Sequence, residues 1–151
     1  MSKSNQWESD LLKLYFQNIA ATGIGDAAGL LPSAVAGSVY VALHTGDPGE
    51  AAVQTASEAT YVGYARQAVA RSAVGWTVSG TAPTQVANAG AITYPACTAG
   101  GDSLTHFSVG DDLAGGGKIR YIGTLTGSPV VVSTVNTPPS FALGVLVITE
   151  D

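Results

Sequence analysis

The spacing of apolar positions changes once along the chain. Near the start, Trp7, Leu11, Leu14 and Tyr15 follow one another at intervals of four, three and one, and with Ile19 they mark one apolar stripe of a helix. Asn5 with Glu8 three residues on has the form of a capping box. Glu8 and Asp10 put negative charge in the first turn, where the helix dipole favours it. Gly23 is a natural stop. So marked a stripe has to pack on something, either the chain's own sheet or a neighbouring subunit. Residues 23–37, broken by Gly, Ala and Pro, read as an irregular connector.

From Ser38 the period becomes two. In Ser38–Thr45 the residues Val39, Val41 and Leu43 share one face, and Tyr40, Ala42 and His44 the other. The turn formers Gly46-Asp47-Pro48-Gly49 end that strand, and small polar residues make 50–60 a surface loop. Further strands are predicted at Tyr61–Arg71, Trp76–Ser79, Gln85–Tyr94, Leu104–Gly110, Lys118–Thr126, Pro129–Thr134 and Phe141–Thr149. Gly80–Thr84 reads as a turn, and Gly115-Gly116-Gly117 suits a hairpin loop. The stretch Ala142–Ile148 is nearly continuously apolar, which predicts a strand covered on both faces. About eight short strands at regular spacing describe a mainly β chain, a jelly-roll-like or β-sandwich domain over 38–151. The N-terminal helical arm and connector precede it over 1–37.

Composition sharpens this picture. Of the 151 residues 46% are apolar, which argues against disorder, yet only 11% are charged. That is under half of the roughly 25% usual for soluble domains. So few charges fit either Ser/Thr-rich solvated faces or, the preferred reading, surface covered by neighbouring copies in an assembly. The net charge of −5 and the scatter of Lys3, Lys13, Arg66, Arg71, Lys118 and Arg120 argue against a nucleic-acid surface or an anionic-membrane patch. No run reaches the ~20 apolar residues of a membrane helix. The opening MSKSNQWESD has no apolar stretch after its basic residue, so synthesis in the cytoplasm is expected.

The chemistry-bearing residues form no recognisable catalytic set. Cys97 stands alone between Ala96 and Thr98, as a small core residue would. His44 and His106 lie late in predicted strands without a carboxylate cluster, a poor zinc set. His106 and Ser108 share a strand face, but a Ser–His pair would need an orienting carboxylate and an oxyanion site. The acids Asp47, Glu50, Asp102, Asp111 and Asp112 lack the alternation of a calcium loop. Gly117-Lys118 resembles a phosphate loop, but the pattern's first glycine and its Ser/Thr are replaced by Asp112 and Ile119. No catalytic, cofactor or metal residues are expected, and the chain reads as not an enzyme.

Taken in order, several segments resemble a family of small tailed-bacteriophage virion proteins. They are Val39-Tyr40-Val41-Ala42-Leu43-His44-Thr45-Gly46-Asp47-Pro48, Gly63-Tyr64-Ala65-Arg66-Gln67-Ala68-Val69 and Ile92-Thr93-Tyr94-Pro95. Thr105-His106-Phe107-Ser108-Val109, Tyr121-Ile122-Gly123-Thr124-Leu125 and the terminal Phe141–Thr149 continue the likeness, which covers about residues 38–150. Such proteins are labelled tail-fibre-like or head-decoration (cement) proteins. The resemblance implies a jelly-roll-like domain in a virion and carries no catalytic residues or cofactor. The leading expectation is a capsid cement protein on the capsid surface, bound to the major capsid protein and to copies of itself, a homo-oligomer stabilising the lattice through many modest contacts. The helix side chains Trp7, Leu11, Leu14 and Tyr15 are its expected partner-binding anchor. The alternative is a tail-fibre or baseplate module that binds a host receptor.

Overall fold

The structure is a computed structural model describing residues 3–50, 53–81 and 83–150. Ala51 and Ala52 of the loop expected over 50–60, and Ala82 of the turn expected over Gly80–Thr84, lie outside these residues. Among the described residues one helix, α1 (Asn5–Gln17), precedes eleven strands. They are β1 (Ser38–His44), β2 (Gln67–Ala70), β3 (Trp76–Ser79), β4 (Thr84–Asn88), β5 (Ile92–Thr93) and β6 (Gly101–Leu104). The rest are β7 (His106–Gly110), β8 (Ile119–Thr124), β9 (Val130–Ser133), β10 (Ser140–Phe141) and β11 (Val147–Glu150). The chain is mainly β, in several small sheets consistent with a β-sandwich. Eleven strands arise where about eight were expected because three of the predicted runs are each divided. The breaks fall at Ala89–Ala91, at Thr105 and over Ala142–Leu146. Two compact units are built from interleaved segments: residues 1–38, 69–91 and 141–151 form the first, and 39–68 and 92–140 the second.

In the first unit α1 packs on β3 and β4 of the sheet ordered β11–β4–β3. The helix is capped by Ser4, whose Oγ accepts from Trp7 N, and Glu8 N donates to Ser4 O. Asn5 is therefore already helical, and Glu8 falls one position too late to close the expected capping box. The helix ends at Asn18, left-handed at φ 57°, five residues before Gly23. Its fully buried apolar side chains are Leu12 and Phe16, with Glu8 on the same face. Trp7, Leu11, Leu14 and Tyr15 flank that face half-buried, and Ile19 lies beyond the helix, exposed. The core face thus runs one residue round from the stripe read in the sequence. A buried glutamate at its head hides it from a purely apolar pattern.

Phe16 meets Trp76 with ring centroids 4.7 Å apart, and Gln17 Nε2 donates to Trp76 O at 2.9 Å. The connector is tied down at three places. Ala21 and Leu30 form an antiparallel bridge, and Asn18 exchanges two hydrogen bonds with the Ser33 backbone. Arg71 donates from Nε to Tyr15 O (2.6 Å) and from Nη2 to Leu14 O (2.9 Å), and its Nη1 reaches Ser33 Oγ and Ala36 O (both 3.1 Å). The last turn of α1 carries no basic residue of its own, so Arg71 supplies from a distant strand end the cation that orphan helix carbonyls attract.

The continuous last strand expected over Ala142–Ile148 does not form, and this corrects the sequence reading. Asn88, 1% exposed, takes up backbone groups a strand would have paired. Its Nδ2 donates to Ala142 O (2.8 Å) and its Oδ1 accepts from Leu146 N (2.9 Å). Gly144, at φ 75°, turns the chain and donates its N–H to Asn88 O. Leu143 and Val145 consequently face outward, and the strand resumes only at Val147.

The second unit is organised around β1, β7 and β8, which pair side by side in that order. Antiparallel pairing places Val41 opposite Val109 and Leu43 opposite Phe107. Val41, Leu43, Val109 and the facing Tyr94 are all essentially inaccessible, and Tyr94 Oη donates to Val41 O at 3.1 Å. Gly123 sits opposite Phe107, where an added Cβ would run into the Phe107 ring, so the cross-strand position accepts no side chain. The strand expected from Tyr61 begins only at Gln67. Asp102 accepts from the N–H groups of Thr60 and Tyr61 (2.6 and 2.7 Å), which removes these donors from any ladder.

Candidate functional site

The helix residues expected to anchor a partner stay at the margin of the first unit's core. Tyr15 meets Phe16 edge-on at 4.9 Å and lies under the Arg71 guanidinium, 5.9 Å from its ring centre. The more exposed apolar side chains of that unit lie elsewhere: Leu31, Val35, Val74, Leu143 and Val145 are each at least 63% exposed. In the second unit Val135 is 89% exposed. The sequence does carry a signal for four of these six positions. Residues 72–101 and 121–149 contain no Asp, Glu, Lys, Arg or His, and Val74, Val131, Val135, Leu143 and Val145 all fall within those two runs. Exposed apolar side chains without charges in the same segment make surface that water solvates poorly.

The most organised polar cluster is in the second unit, at a cleft of about 420 Å³ lined by Glu58, Tyr64, Arg66, Leu113, Ala114 and Gly115 among others. The Arg66 side chain is 2% exposed and forks onto Glu58, from Nε to Oε1 (2.7 Å) and from Nη2 to Oε2 (2.8 Å). Nη1 donates to Asp112 O (2.9 Å) and, more weakly, to Gln54 Oε1 (3.4 Å), and Nη2 also donates to Gly115 O (2.7 Å). All five guanidinium donors are therefore used. The Glu58 hydrogen bond holds the Arg66 pKa above its ordinary value against the opposing effect of burial. Tyr64 Oη donates to Glu58 Oε1 and accepts from Leu43 N; burial drives its pKa well above the usual phenol range. The arginine thus pins the glycine-rich 112–117 loop to the segment carrying Glu58. The sequence reading listed Arg66 among the scattered bases and in the resembling segment Gly63–Val69 but gave it no partner, because its partners are 8 to 49 residues away.

His44 and His106 lie opposite one another in the β1–β7 register. His44 Nδ1–H donates to Ala56 O, since a carbonyl can only accept, and Nε2 accepts from Ser108 Oγ, both at 2.8 Å. Burial, the leading cause, lowers the His44 pKa below 6.5. Ser108 shares a strand face with His106, but its hydrogen-bond partner is His44, across the strand pair, while His106 Nδ1 bonds Thr105 Oγ1 at 2.9 Å. The third member of the His44 arrangement is a carbonyl rather than a carboxylate, and Ser108 is wholly buried, so a substrate has no approach to its hydroxyl. Cys97 is buried with Sγ directed at Ala99 O. Among the described residues no three His, Cys, Asp or Glu side chains gather as metal ligands. No described helix is long and apolar enough to cross a membrane.

Comparison with known families matches residues 2–149 to the family described as podophage GP4 fiber I protein gp80. No curated protein matches the chain.

Proposed function

The chain belongs to the podophage GP4 fiber I protein gp80 family and is a phage virion structural protein, and from this we propose that it acts as a fibre component of the particle. The family match over nearly the whole chain carries the reading, and the family's description favours a fibre over the capsid-cement role. Its work is structural, without a catalytic step. The exposed apolar residues of the two charge-free runs are the surfaces through which it joins neighbouring copies and adjoining virion proteins. Association there brings no like charges together, which matters for a chain of net charge −5. Repetition along a fibre then strengthens individually modest contacts.

Two measurements on purified particles test this. Quantifying the chain against the major capsid protein should give a small number of copies matched to the tail. Gold-labelled antibody should decorate the tail or its appendages. Hundreds of copies with label over the head would replace the fibre reading by the cement one.

A further inference from the structure

The Arg66 cleft presents a specific and unusual set of open groups, and we propose that it is a binding site for a neutral saccharide. This goes beyond the structural role and stands on the cleft's own geometry. The charged side chains on its lining are Glu58 and Arg66, which neutralise one another in a bidentate pair. No guanidinium donor is left for an anion, since Glu58, Gln54, Asp112 O and Gly115 O take all five. The guanidinium therefore offers nothing to phosphates, sulfates or acidic sugars.

The Glu58 carboxylate keeps an acceptor. Glu58 Oε1 accepts two bonds, from Arg66 and Tyr64, but Oε2 accepts one, and the side chain keeps 16% of its surface open. A carboxylate oxygen fixed by an arginine fork and short of one donor suits a ligand hydroxyl. The surrounding wall is apolar and low, formed by Ala65, Leu113 and Ala114 beside the Tyr64 ring. Such a wall accepts the C–H face of a pyranose while its hydroxyls reach the carboxylate. The volume, about 420 Å³, is within the range of small-molecule clefts.

Saturation-transfer NMR on the full chain tests the assignment with methyl α-glucoside, methyl β-galactoside and methyl N-acetyl-β-glucosaminide as neutral probes. N-acetylneuraminic acid and glucosamine serve as charged comparisons. The expected result is transfer to at least one neutral glycoside, reduced to background in Ala114→Trp, which fills the cleft from an exposed position and leaves the Arg66 fork intact. Ala65→Trp fills it from the facing segment, so the test survives if either variant fails to fold. Absence of transfer to every neutral probe, transfer unchanged in a folded blocking variant, or preference for a charged probe would each overturn the proposal.

Discussion

Each unit of the molecule is held by one arginine that gathers distant backbone carbonyls, but the two do so in opposite electrostatic settings. Arg71, in the first unit, meets only neutral acceptors: the terminal carbonyls of α1, Ser33 and Ala36. It is half-buried, so water screens and replaces part of what it offers. Arg66, in the second unit, is almost wholly buried and joined to a carboxylate. Removing Arg71 therefore exposes carbonyls to solvent, whereas removing Arg66 leaves the mostly buried Glu58 carboxylate at the edge of the cleft without its partner. The same residue type, making a similar number of hydrogen bonds, should matter to very different degrees.

Arg66→Ala sets the upper end of that difference. Leaving Glu58 unpaired should destabilise the chain by about 3–5 kcal/mol, measured by urea denaturation, with the 112–117 amides losing hydrogen-exchange protection first. Arg71→Ala should cost about 2 kcal/mol, confined to α1 and the connector. Equal losses for the two arginines would show that the carboxylate partner makes no difference.

Two glycines extend the contrast to packing. Gly123→Ala in the second unit must displace the Phe107 ring and should cost about 1–3 kcal/mol. Gly144→Ala in the first unit meets open space and bears only the left-handed backbone penalty, about 1 kcal/mol. Thermal melts of the pair would rank them.

The gentlest probe is pH. Both histidines belong to the second unit. His44 has a folded-state pKa below its unfolded value of 6.5, so the unfolded chain binds more protons in that window. Its contribution to stability is complete above pH 6.5 and is lost as pH falls towards the depressed value. Protection factors of β1 and β7 amides should decline over that range more than those of β3 and β4, and His44→Gln should abolish the difference. A decline shared equally by both sheets would show that some other group is responsible.

Much of the architecture was legible along the chain. Val39, Val41 and Leu43 alternate and are buried as a strand, and the helix forms where three- and four-residue spacing places it, because these periods follow from backbone geometry alone. Details set by side-chain capture of the backbone were not. Ser4 rather than Asn5 caps α1; Asn88 breaks the apolar run Ala142–Ile148; Asp102 withholds Thr60 and Tyr61 from a strand. Each depends on one polar side chain meeting a backbone group, and for Asn88 and Asp102 that group lies tens of residues away. Periodicity carries no trace of such a meeting. The candidate anchor Trp7, Leu11, Leu14 and Tyr15 was read from helical spacing and apolar character alone. The Arg66 cleft was missed because its parts, Glu58, Tyr64, Arg66 and the 112–117 loop, come together only in the fold.

By itself, then, the sequence determined a mainly β chain with one leading helix, a scarcity of charge, and the order of motifs that resembles virion proteins. These are properties of local spacing and composition, which need no knowledge of neighbours. The tertiary structure alone decided which face of the helix is core, where the strands break, which histidine holds Ser108, and that Arg66 is a buried fork rather than a stray surface base. Each of those depends on desolvation and hydrogen-bond geometry, and both exist only once distant segments are brought into contact.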